Sequence, residues 1–137
     1  MSEAVSERLE AGDHGGTYSG NPLGCAVAHA VIRYLIDENV GENVRQRGLA
    51  ALSWLERVRA ACPGIISDVR GKGLLLAIEF KSEGVATGIT ERCLLKGLLV
   101  RQTQGRMIRV FPALTITERE MEEGLAILGK AVEAERH

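Results

Sequence analysis

The sequence predicts an α/β fold of the α+β kind, a small antiparallel or mixed sheet covered by helices, and two observations carry that reading. Apolar residues recur at helical spacing as far as Cys62, switch to a period of two after Cys62-Pro-Gly64, and return to helical spacing near the C-terminus. The elements then run helix, helix, strand, strand, helix, hairpin, helix, which is enough for one core between a sheet and its covering helices. With 137 residues, 45% of them apolar, the chain is long enough for a single compact domain.

The first organised feature is a loop. Ala11-Gly-Asp-His-Gly-Gly-Thr-Tyr-Ser-Gly-Asn-Pro22 holds four of the sixteen glycines and has no hydrophobic period. Asn21 is placed to cap a helix and Pro22 to open it, with Leu23, Val27, Val31 and Leu35 following at four-residue spacing over 22–37. Cys25, Ala26, Ala28, Ala30 and Ile32 occupy its other faces, so this helix is expected to be buried on several sides. A second helix, 41–61, carries Val44, Leu52, Leu55, Val58 and Cys62 on one stripe, as an amphipathic cover would.

Residues 65–70 read as a strand, and Leu74, Leu76, Ile78 and Phe80 alternate with Leu75, Ala77 and Glu79 in a second, the two meeting around Gly71-Lys72-Gly73. A weaker helix over 84–96 leads through Gly97 into a hairpin, 98–103 and 107–110, joined at Gln104-Gly105. Thr117-Glu-Arg-Glu120 has the form of a capping box, and Met121, Leu125, Leu128 and Val132 continue at helical spacing.

Charge excludes some functions. Seventeen basic and eighteen acidic residues nearly cancel without long blocks of either sign, so neither nucleic acid nor an anionic membrane is an expected partner. Cys25, Cys62 and Cys93 lie far apart in apolar stretches and are expected to be buried free thiols in a reducing cytoplasm. The start of the chain lacks the pattern of an export signal, and no apolar run is long enough to span a membrane.

The glycine-rich loop running into a helix start is the one local feature that suggests a ligand, because backbone N–H groups and the helix N-terminus favour an anion there. The same pattern is also that of an ordinary turn before a capped helix. His14-Gly-Gly-Thr-Tyr-Ser-Gly-Asn-Pro-Leu-Gly-Cys25 resembles a family segment of the class III, pyridoxal-phosphate-dependent aminotransferases, which include acetylornithine, ornithine and 4-aminobutyrate aminotransferases. Val69-Arg-Gly-Lys-Gly-Leu74, Lys96-Gly-Leu-Leu-Val100 and Ile108-Arg-Val-Phe-Pro-Ala-Leu-Thr-Ile-Thr117 follow in the family's order.

The resemblance implies the small C-terminal domain of a fold-type I aminotransferase, with a three- to four-stranded, mostly antiparallel sheet. It places a glycine-rich phosphate loop in residues 1–21 and the small domain with its leading helix in 22–137. It further implies that Thr17 binds the phosphate of pyridoxal 5'-phosphate in the neighbouring subunit's site, within a homodimer formed through this loop and the first helix. Gly16 stands where acetylornithine enzymes often have a substrate-contacting serine, and Arg109 matches the arginine that grips a substrate carboxylate or pairs with an internal glutamate. Alanine at 113 departs from the commoner Pro-Pro-Leu pattern.

The implied activity is transfer of an amino group from acetylornithine, ornithine or a similar amine to 2-oxoglutarate in the cytoplasm. Rival readings are a 4-aminobutyrate or putrescine aminotransferase, an amino-acid racemase of the same family, and a non-catalytic binding or dimerisation module. Lys72, Lys81, Lys96 and Lys130 do not match the family's cofactor-bearing lysine, so no catalytic residue is expected within this chain and alone it should be inactive. Each reads as a solvated surface charge. His14, His29 and His137 are too scattered for a metal site, and the acids between Glu118 and Glu123 suit a helix start.

Overall fold

The computed structural model describes residues 7–8 and 15–136; the start of the chain, the loop residues 11–14 with His14, and His137 lie outside the described residues. The chain divides into two compact units, 1–38 and 39–137. The sequence places the boundary ahead of Pro22, whereas the contacts place it after the first helix.

In the first unit, a turn at 17–20 leads into α1 (Pro22–Asp37). Its limits are those expected, because Asn21 accepts a hydrogen bond from the Gly24 N–H at 3.0 Å and Pro22 needs no donor at the first helical position. None of its residues is buried, and Leu23, Val27, Val31 and Ile32 are exposed. The expectation of burial on several sides is therefore not met within this chain. Cys25 is exposed for the same reason, while Cys62 and Cys93 are buried free thiols as expected.

The second unit contains α2 (Val40–Ala61), β1 (Ile66–Lys72), β2 (Leu75–Phe80), α3 (Glu83–Leu95), β3 (Arg101–Thr103), β4 (Met107–Val110) and α4 (Glu118–Glu133), closed by a short 3-10 turn, Ala134–Arg136. The sheet order is β1-β2-β4-β3, and all three pairings are antiparallel. The core lies on one face of this sheet. Leu76, Ile78 and Phe80 of β2 point into it with Ile108 of β4, and they meet Leu55 of α2, Ile89 of α3 and Leu128 and Val132 of α4. Burying each such side chain stabilises the fold by roughly 1.5–3 kcal/mol.

α2 approaches the β1–β2 hairpin through its small residues. Gly48 and Ala51 are buried along with Leu55, whereas Val44, Leu52 and Val58 lie at the margin of the core. The hairpin turns at Gly73-Leu74, with Lys72 paired to Leu75, which is later than the Gly71-Lys72-Gly73 corner expected from sequence. Gly73 sits at φ +56, a left-handed conformation that glycine adopts without strain. A Cβ at Gly48 would lie 2.3 Å from the Gly73 carbonyl oxygen, so the helix backbone rests directly on the turn.

β3 is shorter than expected, because 98–100 make no ladder. In the observed register Leu98 would face Pro112, which has no N–H to donate. α4 begins with a complete capping box. The Glu120 N–H donates to the Thr117 hydroxyl at 3.3 Å, and the Glu120 carboxylate accepts from the Thr117 N–H at 2.9 Å and its hydroxyl at 2.7 Å. These bonds from Thr117 hold the Glu120 carboxyl below the usual carboxylate range.

Two outcomes follow from this packing. Gly→Ala within a helix ordinarily stabilises by about 0.5–1 kcal/mol, but Gly48→Ala should destabilise by about 1–3 kcal/mol through overpacking against backbone, read from the urea midpoint. Thr117→Ala should cost about 1 kcal/mol as a lost cap. Because the folded Glu120 carboxyl is depressed, its contribution is present above the ordinary carboxylate pKa and lost as pH falls. Urea midpoints of the variant should therefore fall less between pH 6 and pH 3 than those of the parent chain.

Candidate functional site

Gly16 and Thr17 lie together in the turn that feeds α1. The Ser19 N–H donates to the Gly16 carbonyl at 3.0 Å and the Asn21 N–H to the Tyr18 carbonyl at 3.2 Å, so two overlapping turns hold the loop. Thr17 is exposed at their corner. A Cβ at Gly16 would meet Ser19 Oγ at 3.4 Å, an ordinary contact, and no other heavy atom within 4 Å, so space alone does not demand glycine there. The donors present, a threonine hydroxyl and exposed amides ahead of a sixteen-residue helix, suit a phosphate.

Arg109 belongs to the second unit, on the sheet face away from the core. The register aligns Arg70, Ala77, Arg109 and Arg101 in one row across β1, β2, β4 and β3, with Asp68, Glu79, Met107 and Thr103 in the row beside it. The acids on this face are already engaged. Arg70 reaches Asp68 at 2.5 Å and Glu79 at 2.9 Å, Arg106 reaches Glu79 at 2.9 Å, and Arg59 reaches Asp68 at 3.6 Å. The Arg70 hydrogen bond, above all, holds the Asp68 carboxyl below its ordinary range. Neither Arg109 nor Arg101 has an ion pair among the described residues.

On the side of the sheet that α4 covers, a groove of about 530 Å³ lies between the segments flanking the β3–β4 hairpin and α4. Leu98, Arg101, Arg109, Phe111, Glu120 and Leu125 are among its lining residues. Asn43 of α2 holds the chain leaving β4: its amide donates to the Leu114 carbonyl at 2.9 Å and the Ile116 carbonyl at 3.1 Å. Sequence reasoning missed Asn43, because a lone asparagine in the first turn of a helix carries no sign of a partner more than seventy positions away.

The expected residues are thus brought together in part. Gly16 and Thr17 share one turn, whereas Arg109 lies in the other compact unit. Lys72, Lys81, Lys96 and Lys130 are all exposed. Among the described residues, no group of His, Cys, Asp or Glu could hold a metal ion, and no helix is long and apolar enough to cross a membrane.

A four-stranded antiparallel sheet under three helices, with one charged open face, defines an α/β domain. The model of the family described as Aminotransferase class-III matches residues 1–132, and the chain belongs to that family. It is 36% identical over 134 residues to the mitochondrial acetylornithine aminotransferase of Neurospora crassa, covering 98% of this chain and 29% of that protein. It is 39% identical over 127 residues to the ornithine aminotransferase of Bordetella pertussis, covering 92% of this chain and 30% of that one.

Among solved structures, the acetylornithine aminotransferase from Elizabethkingia anophelis matches with a TM-score of 0.84 at 33% identity, over 95% of this chain and 33% of the other. The fold is accordingly that of fold-type I aminotransferases. The chain spans about 30% of the length of the curated relatives it matches.

Asn43→Ala should free the segment after Arg109. Loss of two hydrogen bonds to backbone carbonyls is expected to cost about 1–2 kcal/mol in urea unfolding and to speed amide hydrogen exchange over 113–117.

Proposed function

We propose that this chain is the C-terminal part of an aminotransferase that moves an amino group from acetylornithine, ornithine or a similar amine to 2-oxoglutarate, working as a homodimer. The observation that carries the reading is the likeness to the acetylornithine aminotransferase fold over 95% of the chain, at 33% identity. The donor set around Thr17 supports a phosphate, and the guanidinium of Arg109, without an ion pair among the described residues, supports a carboxylate.

In this reading pyridoxal 5'-phosphate, when bound, supplies the electron sink that amino-group transfer requires. Thr17 holds its phosphate through the hydroxyl and N–H, and a charge of roughly −1.5 to −2 suits such donors ahead of a helix N-terminus. Arg109 orients substrate by its carboxylate, since a planar fork fixes both position and angle. The chain's own four lysines stay solvated, and the lysine that carries the cofactor belongs to the length of the relatives that this chain does not span. The exposed apolar residues of α1, Leu23, Val27, Val31 and Ile32, then pack in the dimer, as a helix apolar on several faces requires. A cytoplasmic setting fits the reduced thiols of Cys62 and Cys93.

The test is a transamination assay on protein of the relatives' full length, with acetylornithine, ornithine, 4-aminobutyrate and putrescine as donors. Acetylornithine or ornithine should be the preferred donor with 2-oxoglutarate as acceptor. Thr17→Ala should raise the dissociation constant for pyridoxal phosphate about tenfold, the worth of one charge-assisted hydrogen bond. Unchanged cofactor affinity, or no transfer from any of these amines, would overturn the proposal.

A further inference from the structure

We infer that Asn43 is a positioning residue for Arg109, holding the end of β4 in place from α2 through the chain that follows the strand. The inference rests on the carboxylate role proposed above for Arg109 and adds a residue on which that role depends.

Arg109 stands near the loose end of a short strand. β4 is four residues long, and its ladder with β3 stops at the Arg101–Arg109 pair. On the other side one pair remains beyond Arg109, Leu76 with Val110. Strand ends held by so few backbone hydrogen bonds open readily, so Arg109 needs support from beyond the ladder.

α2 supplies that support at three points. The Asn43 amide donates to the Leu114 carbonyl at 2.9 Å and to the Ile116 carbonyl at 3.1 Å. Among the described residues no backbone N–H donates to either carbonyl, so both rely on Asn43. Arg47, one helical turn further on and on the same face of α2, reaches the Glu118 carboxylate at 3.0 Å.

The anchor is passed back to the strand by a short, stiff connection. The Ile116 N–H donates to the Ala113 carbonyl at 3.0 Å, which closes 113–116 into one turn. Between that turn and Val110 lie only Phe111 and Pro112, and the proline ring fixes its own φ. A planar fork meets a carboxylate at a set distance and angle, so a strand end displaced by about 1 Å costs binding.

The experiment uses protein of the relatives' full length and compares ornithine, which carries a carboxylate, with putrescine, which has none. Asn43→Ala should lower kcat/KM for ornithine about tenfold, mainly through KM, and leave that for putrescine unchanged. Asn43→Asp, which keeps the size and loses both donors, should do at least as much. Ile89→Val, a core change that weakens the fold without touching this segment, should leave the ratio between the two donors as it was. In an Arg109→Gln background, Asn43→Ala should change neither donor further.

Equal losses for both donors, no loss for either, or a further loss in the Arg109→Gln background would overturn the inference while the proposed function stands. If Arg109→Gln itself leaves the ratio between ornithine and putrescine unchanged, the carboxylate role of Arg109 fails and the inference with it. Amide hydrogen exchange decides independently of turnover: Asn43→Ala should speed exchange over 108–111 as well as in the turn beyond, and an increase confined to 113–117 would overturn the inference.

Discussion

The alternation along β2 is the constraint on which the second compact unit depends. This strand is hydrogen-bonded on both sides, to β1 and to β4, and its Leu76, Ile78 and Phe80 are 1%, 1% and 0% exposed. A slip of one residue would carry Ala77 and Glu79 into the core and every apolar side chain out of it. Register in β2 therefore fixes β4, and β4 fixes which face receives Arg109. The open face owes its chemistry to the hydrophobic demand of the closed one.

A second constraint is the approach of α2 to the hairpin turn. Large side chains on this helix would hold it away from the sheet, and the contact is instead made by Gly48 on the backbone of Gly73. The same helix carries Asn43, whose amide ties down the chain just beyond β4. One rigid element thus seats the β1–β2 turn at one position and the segment following the arginine at another, and the groove wall inherits its order from both.

Much of this was legible in the sequence, and the exceptions share a physical cause. α1 was readable to the residue because both its cap and its proline are local signals, and the capping box of α4 likewise needs only four consecutive positions. The alternation in β2 announced a half-buried strand. The facing stripe of α2 was legible in Leu55, Cys62 and the marginal Val44, Leu52 and Val58, but a search for large apolar residues passes over Gly48 and Ala51, which mark the closest contact. The start of β3 was set too early because 98–100 are apolar and continue the run, whereas the ladder begins at Arg101 and Leu98 would meet Pro112. Thr17, Gly16 and Arg109 were singled out by resemblance alone, whereas Asn43 emerges only from tertiary hydrogen bonding.

The two edges of the sheet have a further effect. β1 is interrupted by a register shift between Ile66 and Asp68 and carries Asp68, Arg70 and Lys72 outward. β3 is only three residues long and begins with a charged side chain. Short, charged or bulged edges are poor templates for adding a strand from another molecule. Both edges of the sheet therefore offer little purchase to an incoming strand.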